Sequence, residues 1–508
     1  MDCIITIEIG TGAIRVVAFD LNGTILGSSK GSYPTFHEKP DFSEQDPEQI
    51  FITMLYILKN FLNEKIHPKK HMVICLCFSS AMHSVLPIDK NGVPLGNAMA
   101  WSDNRAKKEA HDLTNSSLGK SLYKITGTPI HPMSPLNKIK WLKNNDKDRF
   151  AATQKFLSIK TYIIQQLTGE YIVDYSIASA TGMLNIRTLK WEADALKYTG
   201  IAKEKLADVV SVFYSPKRLK REYQASLGLH DKVKLIVGSS DGCMATLGAG
   251  VWGDGKATVT LEESGAVRVV GTEILQDEKQ RIFNYLLTEG LYVSGGPTNN
   301  AGAVFEWYAK QFGDFKKAFD LEDCVTDLIN DAGKVAAGSA GLIFLPYLQG
   351  ERAPIWNADA RGVYFGLNIN HEQQHFVRAT IEGIMYAIYS IGKTLEEHQT
   401  IKSLSANGTF ASYPFWTQMM ADIFNKPVHI KQGSGSDSVA FGSFLLSATE
   451  IGLYKNLDEA AETVKLPDSF TPNKQLHNVY MKHYAIFERL GVKMFDEFEA
   501  IAELQHEN

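Results

Sequence analysis

Between Ile5 and Asp20 the chain reads "ITIEIGTGAIRVVAFD", two apolar runs broken by a small-residue turn, with one carboxylate, Glu8, inside the first run. This pattern predicts two strands around a tight turn. Asn22-Gly23 then signals a hairpin into a third strand, "TILGSSKGSY". Asp46 and Pro47 offer an N-cap and a first helical residue, and Ile50, Phe51, Met54, Ile57, Leu58 and Phe61 recur at helical spacing. Farther on, "HMVICLCFSS" predicts a strand, "FLSIKTYIIQQLTG" a helix closed by Gly169, and "KLIVGSS" (Lys234 to Ser240) a buried strand. The second half repeats the rhythm: a hairpin over Thr258 to Val270, a helix from about Gly302, a long helix from about His371, a strand at Ser403 to Ala406 and a helix from Pro414.

Thr11 to Val17, "TGAIRVV", matches Ser264 to Val270, "SGAVRVV", at five of seven positions. With the matching order of elements, this favours two α/β domains of like fold facing each other across a cleft. At 508 residues the chain exceeds a single core. Glycine concentrates in "GAGVWGDG", Gly248 to Gly255, which places the expected domains at 1–248 and 249–508. The net charge of −5 is spread along the sequence with no basic block, which argues against nucleic acid as a partner. Five sparse cysteines suit a reducing compartment, and Cys75 and Cys77 share one face of a strand, as packing residues do. No run approaches membrane-spanning length and "MDCIITIEIG" lacks a signal-peptide start, so the expected location is cytoplasmic.

Two motifs are refused on context. "GAGVWG" satisfies the dinucleotide fingerprint, but a helix-like segment precedes it and a strand follows, the reverse of what that turn requires. "HEQQH" (His371 to His375) has zinc-protease spacing but sits at a helix start with no third ligand evident. The strongest chemical signal is "LIVGSSDGCMATLGAG", a buried strand leading to Asp241 at a helix entry, where the alternative reading is an N-cap. "SSAMHSV" also ends a strand, with Met82 and His83 at its tip. "AWSDNRA" supplies Trp101, Asp103 and Arg105, a set suited to a polyhydroxylated and anionic ligand, and "TGTPIHPMSP" is a proline-stiffened loop carrying His131.

Together with "DYSIASATGMLN", "GGPTNN", "FLPYLQGERAPIWNADARGVYFGL" and "QQHFVRATIEG", these segments resemble the FGGY carbohydrate kinases, and within them the gluconate kinases, from the first strand to about residue 450. The resemblance implies two ribonuclease-H-like domains of the actin/Hsp70 superfamily, sugar bound mainly by the first and ATP by the second. The two hairpins then correspond to paired phosphate loops. It makes Asp241 the general base that takes the proton of the substrate's terminal hydroxyl, with Mg2+ offsetting phosphate charge. Met82 and His83 would line the sugar pocket beside Trp101 and Asp103, with Arg105 or His131 meeting a sugar-acid carboxylate. Gly10, Thr11, Ser264, Gly265, Asn300, Asn407, Gly408 and Asp437 fall on the nucleotide side. The expected reaction is D-gluconate to 6-phosphogluconate, with another FGGY sugar kinase such as a xylulokinase as the alternative. The partners are then a small-molecule sugar and ATP, and a homodimer is compatible with them.

The departures cluster on the ATP side. The family's first-loop aspartate is Glu8, one methylene longer, and the second loop, usually Gly-Thr-Ser, reads Glu262-Glu263-Ser264. The adenosine motif reads Asn407-Gly408 rather than Gly-Gly, and "NNGG" has become "NNAG" at Ala301. At 6 Å and an effective dielectric of 20, one like-charge pair costs about 3 kcal/mol before screening. Glu262 and Glu263 therefore either repel phosphate, bridge to it through a divalent ion as metal ligands alongside Glu8, or face solvent. Intact sugar motifs beside altered phosphate loops also admit a rival from another class, a sugar-binding kinase relic that serves as a sensor.

Overall fold

The computed structural model describes residues 1–313, 320–430, 438–466 and 468–507. Strands β1 (Asp2–Ile9), β2 (Ala13–Asp20) and β3 (Ile25–Ser32) form an antiparallel meander. Helix α1 (Pro47–Phe61) follows, and Asp46 caps it by accepting from Glu48 N at 2.9 Å and Gln49 N at 3.2 Å, the role its position before Pro47 predicts. Its buried stripe, including Ile50, Met54, Leu58 and Phe61, packs into one core with Ile5, Ile7 and Ile9. Then come β4 (Met72–Ser80), α2 (Pro135–Asn145), α3 (Ile159–Thr168), β5 (Ile172–Asp174), α4 (Tyr175–Ser179), β6 (Lys234–Ile236) and α5 (Asp241–Gly248). The sheet order is β6-β4-β1-β2-β3, with β4 parallel to both β1 and β6. Central β1 is buried along most of its length because both of its faces are covered, whereas edge strand β3 alternates with solvent.

The apolar run "KLIVGSS" predicts a strand through Ser240, but β6 ends at Ile236. Gly238 explains this: its φ is +68°, and a Cβ there would lie 1.9 Å from the Phe78 carbonyl oxygen. The chain turns out of the sheet at that glycine and touches it again through a single parallel bridge between Ser240 and Ser80.

The chain folds into two compact units, the first containing Met1–Trp252. In the second, β7 (Lys256–Leu261) pairs antiparallel with β8 (Gly265–Gly271). Residues Gly271–Ser294 return to the first unit. There β9 (Phe283–Thr288) is anchored by Asn284 N donating to Gly127 O at 2.7 Å and Leu286 N to Ser179 Oγ at 3.0 Å. The end of β10 (Leu291–Thr298) re-enters the second unit at Gly295, followed by α6 (Gly302–Phe312), α7 (Gln373–Glu396), β11 (Ser403–Asn407), α8 (Pro414–Phe424) and β12 (Val428–Ile430). Strand β11 runs parallel to both β7 and β12, so β8-β7-β11-β12 repeats the pairing senses of β2-β1-β4-β6.

Helix α9 (Ser438–Glu450) belongs to the first unit, where it crosses α5 at a pair of glycines. A Cβ on Gly248 would sit 1.9 Å from Ser438 O, and one on Gly442 2.0 Å from Met244 O. Gly248 of "GAGVWG" thus serves helix packing, Gly250 and Gly253 take positive φ in the turn that follows, and α5 before the motif and β7 after it match the context on which the dinucleotide reading is refused. The long helix starts at Gln373 rather than His371. Glu372 is its N-cap and His375 completes a capping box, which gives "HEQQH" a structural use.

Candidate active site

The carboxyl ends of β1, β4 and β6 converge, as parallel strands of one sheet must. Glu8 and Ile9 lie beside Ser79 and Ser80 in register, and Ala81 N donates to Ile9 O at 2.9 Å. Ser240 bridges Ser80, so Asp241 and the Ala81-Met82 tip leave adjacent positions of the sheet edge. Asp241 is half-buried and opens α5 as its first residue. The N-cap is Ser240, whose hydroxyl accepts from Cys243 N at 3.4 Å, so the capping alternative for Asp241 does not hold. The Asp241 Oδ1 accepts from Gly242 N at 2.6 Å.

The turn after β1 is braced by side chains. The Tyr33 hydroxyl donates to Gly10 O, Gln45 Nε2 to Thr11 O, and Trp101 Nε1 to Thr11 Oγ1 at 2.8 Å. Trp101 is thereby placed against the first phosphate-loop candidate, Gly10-Thr11. Burial, reinforced by Glu8, pushes the Tyr33 phenol far above its usual range, so it stays a neutral donor.

Met82 is half-buried and His83 buried, with a left-handed φ of +65°. His83 Nδ1 lies 2.8 Å from the Ala180 carbonyl oxygen and Nε2 3.1 Å from the Tyr285 hydroxyl. A carbonyl can only accept, so Nδ1 carries the proton and Nε2 accepts from the tyrosine. Asp103 is wholly buried, accepting from Ser43 N at 2.8 Å and from Arg105 Nε at 2.8 Å. Arg105 also donates to Glu44 Oε1 at 2.5 Å and stacks 3.6 Å over the Phe42 ring. Asp103 therefore reaches a ligand only through its neighbours, and much of the Arg105 donor edge is committed within the protein. His131 is buried, its Nδ1 accepting from Met133 N at 3.2 Å.

One participant is invisible to periodicity. Lys138 on α2 is fully buried and donates from Nζ to His83 O at 3.0 Å and Ala100 O at 2.5 Å, tying the "MH" tip to the residue preceding Trp101. Burial lowers its pKa to about 7, with Asp103 opposing that shift and Arg105 adding to it. The available signal is a lysine between Leu136 and Ile139 in "PLNKIKWL", on the apolar stripe of the helix.

In the second unit the "EES" turn closes onto α6. Gly302 N donates to Glu262 O at 2.8 Å and Ala303 N to Glu263 O at 3.0 Å. The Glu262 carboxylate accepts from the Thr409 hydroxyl at 2.9 Å, while Glu263 is exposed. Ser264 O accepts from Glu262 N at 3.0 Å, and Gly265 starts β8. Asn300 is buried and committed: its Nδ2 donates to Gly350 O at 2.7 Å, and its Oδ1 accepts from Gln349 N at 3.3 Å. Beside it, buried Glu351 accepts from Thr298 Oγ1 at 2.6 Å; burial raises its carboxyl, and these hydrogen bonds oppose the rise. Asn407 Nδ2 donates to Thr258 Oγ1 at 2.8 Å, and Gly408 follows at φ +98°. Asp437 lies outside the described residues.

The fold and this arrangement define a two-domain kinase of the actin/Hsp70-like class. Models of the FGGY family of carbohydrate kinases match the chain at residues 3–248 (N-terminal domain) and 263–451 (C-terminal domain). The chain belongs to this family and is a carbohydrate kinase, an enzyme class that takes sugar and ATP as substrates. It is similar to the gluconokinase of Bacillus subtilis (strain 168), 35% identical over 507 residues that cover 98% of this chain and 97% of that one. The crystal structure of gluconate kinase from Lactobacillus acidophilus matches with a TM-score of 0.91 at 31% identity, covering 98% of this chain and 99% of that one. Ligand-bound xylulose kinase from the same organism matches with a TM-score of 0.91 at 31% identity, covering 99% and 100%. Among the described residues no helix is long and apolar enough to cross a membrane.

Proposed function

We propose that this kinase transfers the γ-phosphoryl group of ATP to the terminal hydroxyl of D-gluconate, giving 6-phosphogluconate, with Asp241 as general base. The observation that carries the chemistry is Asp241 at the head of α5, one residue past the Ser240–Ser80 bridge and beside the Met82 tip. Full-length identity of 35% to a gluconokinase supports the choice of sugar acid. A half-buried carboxylate at the head of a helix can accept the hydroxyl proton as that oxygen attacks phosphorus, while catalysis otherwise rests on positioning. Met82 and Trp101 would pack on the sugar, and His131, together with the uncommitted part of Arg105, would read its carboxylate. His83, occupied on both ring nitrogens, would shape the pocket through its backbone and ring face. Gly10, Thr11, Ser264, Gly265, Asn407 and Gly408 would follow the nucleotide, with Asn300 shaping the turn before α6.

Carboxylate oxygens are the donors that Mg2+ prefers, and Glu8, half-buried at the end of β1 in the strand next to the Ser80–Ser240 bridge, fits that requirement. Glu8 would hold the ion, whose charge offsets that of the phosphates. Glu262 and Glu263 are weaker candidates because the first already accepts from Thr409.

A second reading, xylulose as substrate, is favoured by the equal structural match to xylulose kinase. The deciding experiment measures ADP release by purified protein with Mg2+ and ATP against gluconate, xylulose, ribulose and glycerol. Gluconate should give the highest kcat/KM; a preference for xylulose would overturn the assignment of the sugar.

A further inference from the structure

Two buried ions stand behind Asp241. Lys160 on α3 and Asp174 at the end of β5 pair at 2.9 Å between Nζ and Oδ2, with side chains only 2% and 1% exposed. Taking such a pair out of water carries a desolvation cost that mutual attraction rarely returns in surplus, so stability alone does not account for it. Its hydrogen bonds show where it acts. Lys160 Nζ also donates to Ser239 O at 2.9 Å. Asp174 Oδ1 accepts from Ser176 N at 3.1 Å, Ser176 Oγ at 2.6 Å and Ile177 N at 3.2 Å. Ser176 Oγ in turn accepts from Ser240 N at 2.7 Å.

The Ser239 carbonyl and the Ser240 amide are the two polar ends of one peptide plane. An ammonium holds the first and a serine hydroxyl the second, and Lys160 and Ser176 both converge on Asp174. The direction of the relay is forced: Ser240 N–H can only donate, so the single Ser176 hydroxyl proton goes to the carboxylate. Ser176, Ser239 and Ser240 are wholly buried, so water does not compete. The orientation of this plane sets ψ of Ser239 and φ of Ser240, and hence the direction in which Asp241 leaves the sheet.

We infer that Lys160, Asp174 and Ser176 are positioning residues for Asp241, a charged clamp on the 239–240 peptide that aims the carboxylate at the substrate hydroxyl. The inference rests on the proposed role of Asp241 as base. A misplacement of about 1 Å costs on the order of a hundredfold in rate, which sets the expected effect.

The test is the neutral double variant Lys160→Met with Asp174→Asn, in which the asparagine oxygen can still accept from Ser176 and Ile177. It should melt near the native temperature, lose about a hundredfold in kcat and keep its sugar KM within about threefold. Amide exchange at Ser240–Met244 should rise at least about tenfold, while the rest of the first unit stays protected. Ser176→Ala should give a smaller loss in the same direction. Native exchange in the double variant would overturn the clamp whatever the turnover, and raised exchange with native kcat would overturn the positioning role. Raised exchange in a protein whose unaltered form turns over no sugar would instead overturn the proposed reaction with Asp241 as base and leave the clamp standing.

Discussion

Asp241 and Lys138 show how differently two ionisable residues of the candidate site can be read. Asp241 announces itself because a buried strand, a glycine and two serines lead directly to it. Asp241→Asn should lower kcat by about a thousandfold while calorimetric sugar affinity stays within about threefold, since general-base removal spares ground-state contacts. Native turnover in that variant would reject the base assignment. Lys138 carries no such announcement, because a lysine is ordinarily a surface residue and only packing shows it to be buried. Its folded-state pKa of about 7 lies below the ordinary lysine value, so between about pH 7 and 10 the unfolded chain binds the extra proton. Stability contributed through this group therefore rises with pH across that window, by on the order of 1 kcal/mol per unit at most. Comparing the wild type with Lys138→Met by denaturant unfolding at pH 7, 8 and 9 should show their difference changing in the wild type's favour. A difference that does not vary with pH would contradict the shift.

At the scale of elements, turns decide more than strands. Gly408 sits at φ +98°, and a Cβ there would lie 2.3 Å from the Leu261 carbonyl oxygen. Gly408→Ala should cost about 2–3 kcal/mol of stability, read as a lower denaturant midpoint, and raise the KM for ATP; an unchanged midpoint would show that the β11 end relaxes freely. The "EES" turn is the other test. The carbonyls of Glu262 and Glu263 are consumed by α6 amides, and in the proposed reading their carboxylates would lie near the nucleotide's phosphates. Glu262→Gly with Glu263→Thr should lower the KM for ATP by about tenfold, a screened fraction of the unscreened repulsion. A rise instead, steepest at low Mg2+, would show the carboxylates bridging through the metal. Helix caps, the hairpins and the closing Gly169 were legible because each depends on residues within a few positions. The early end of β6 was not, because the clash that enforces it involves Phe78, far away in sequence.

For the molecule as a whole, the substrate is the open choice between two structural neighbours of equal similarity. Any ligand that binds only the folded chain stabilises it by about 2.7 kcal/mol at a hundred times its dissociation constant. Gluconate should therefore raise the melting temperature where xylulose at equal concentration does not, and the reverse order would favour the xylulokinase reading. This measurement is independent of ATP use, so it separates sugar recognition from phosphate transfer.

The helix caps, the repeated hairpin, the acid that follows "GSS" and the family could be read from the chain, because each is written in local spacing or in contiguous motifs. The tertiary structure alone decided that Gly271–Ser294 and α9 return to the first unit, that Arg105 is largely committed to Asp103 and Glu44, and that two lysines are buried behind the site. The physical reason is common to all of them. Burial and most of this pairing come from segments brought together across dozens to hundreds of residues, as with Arg105 and Glu44, where packing, and not periodicity, selects the partner.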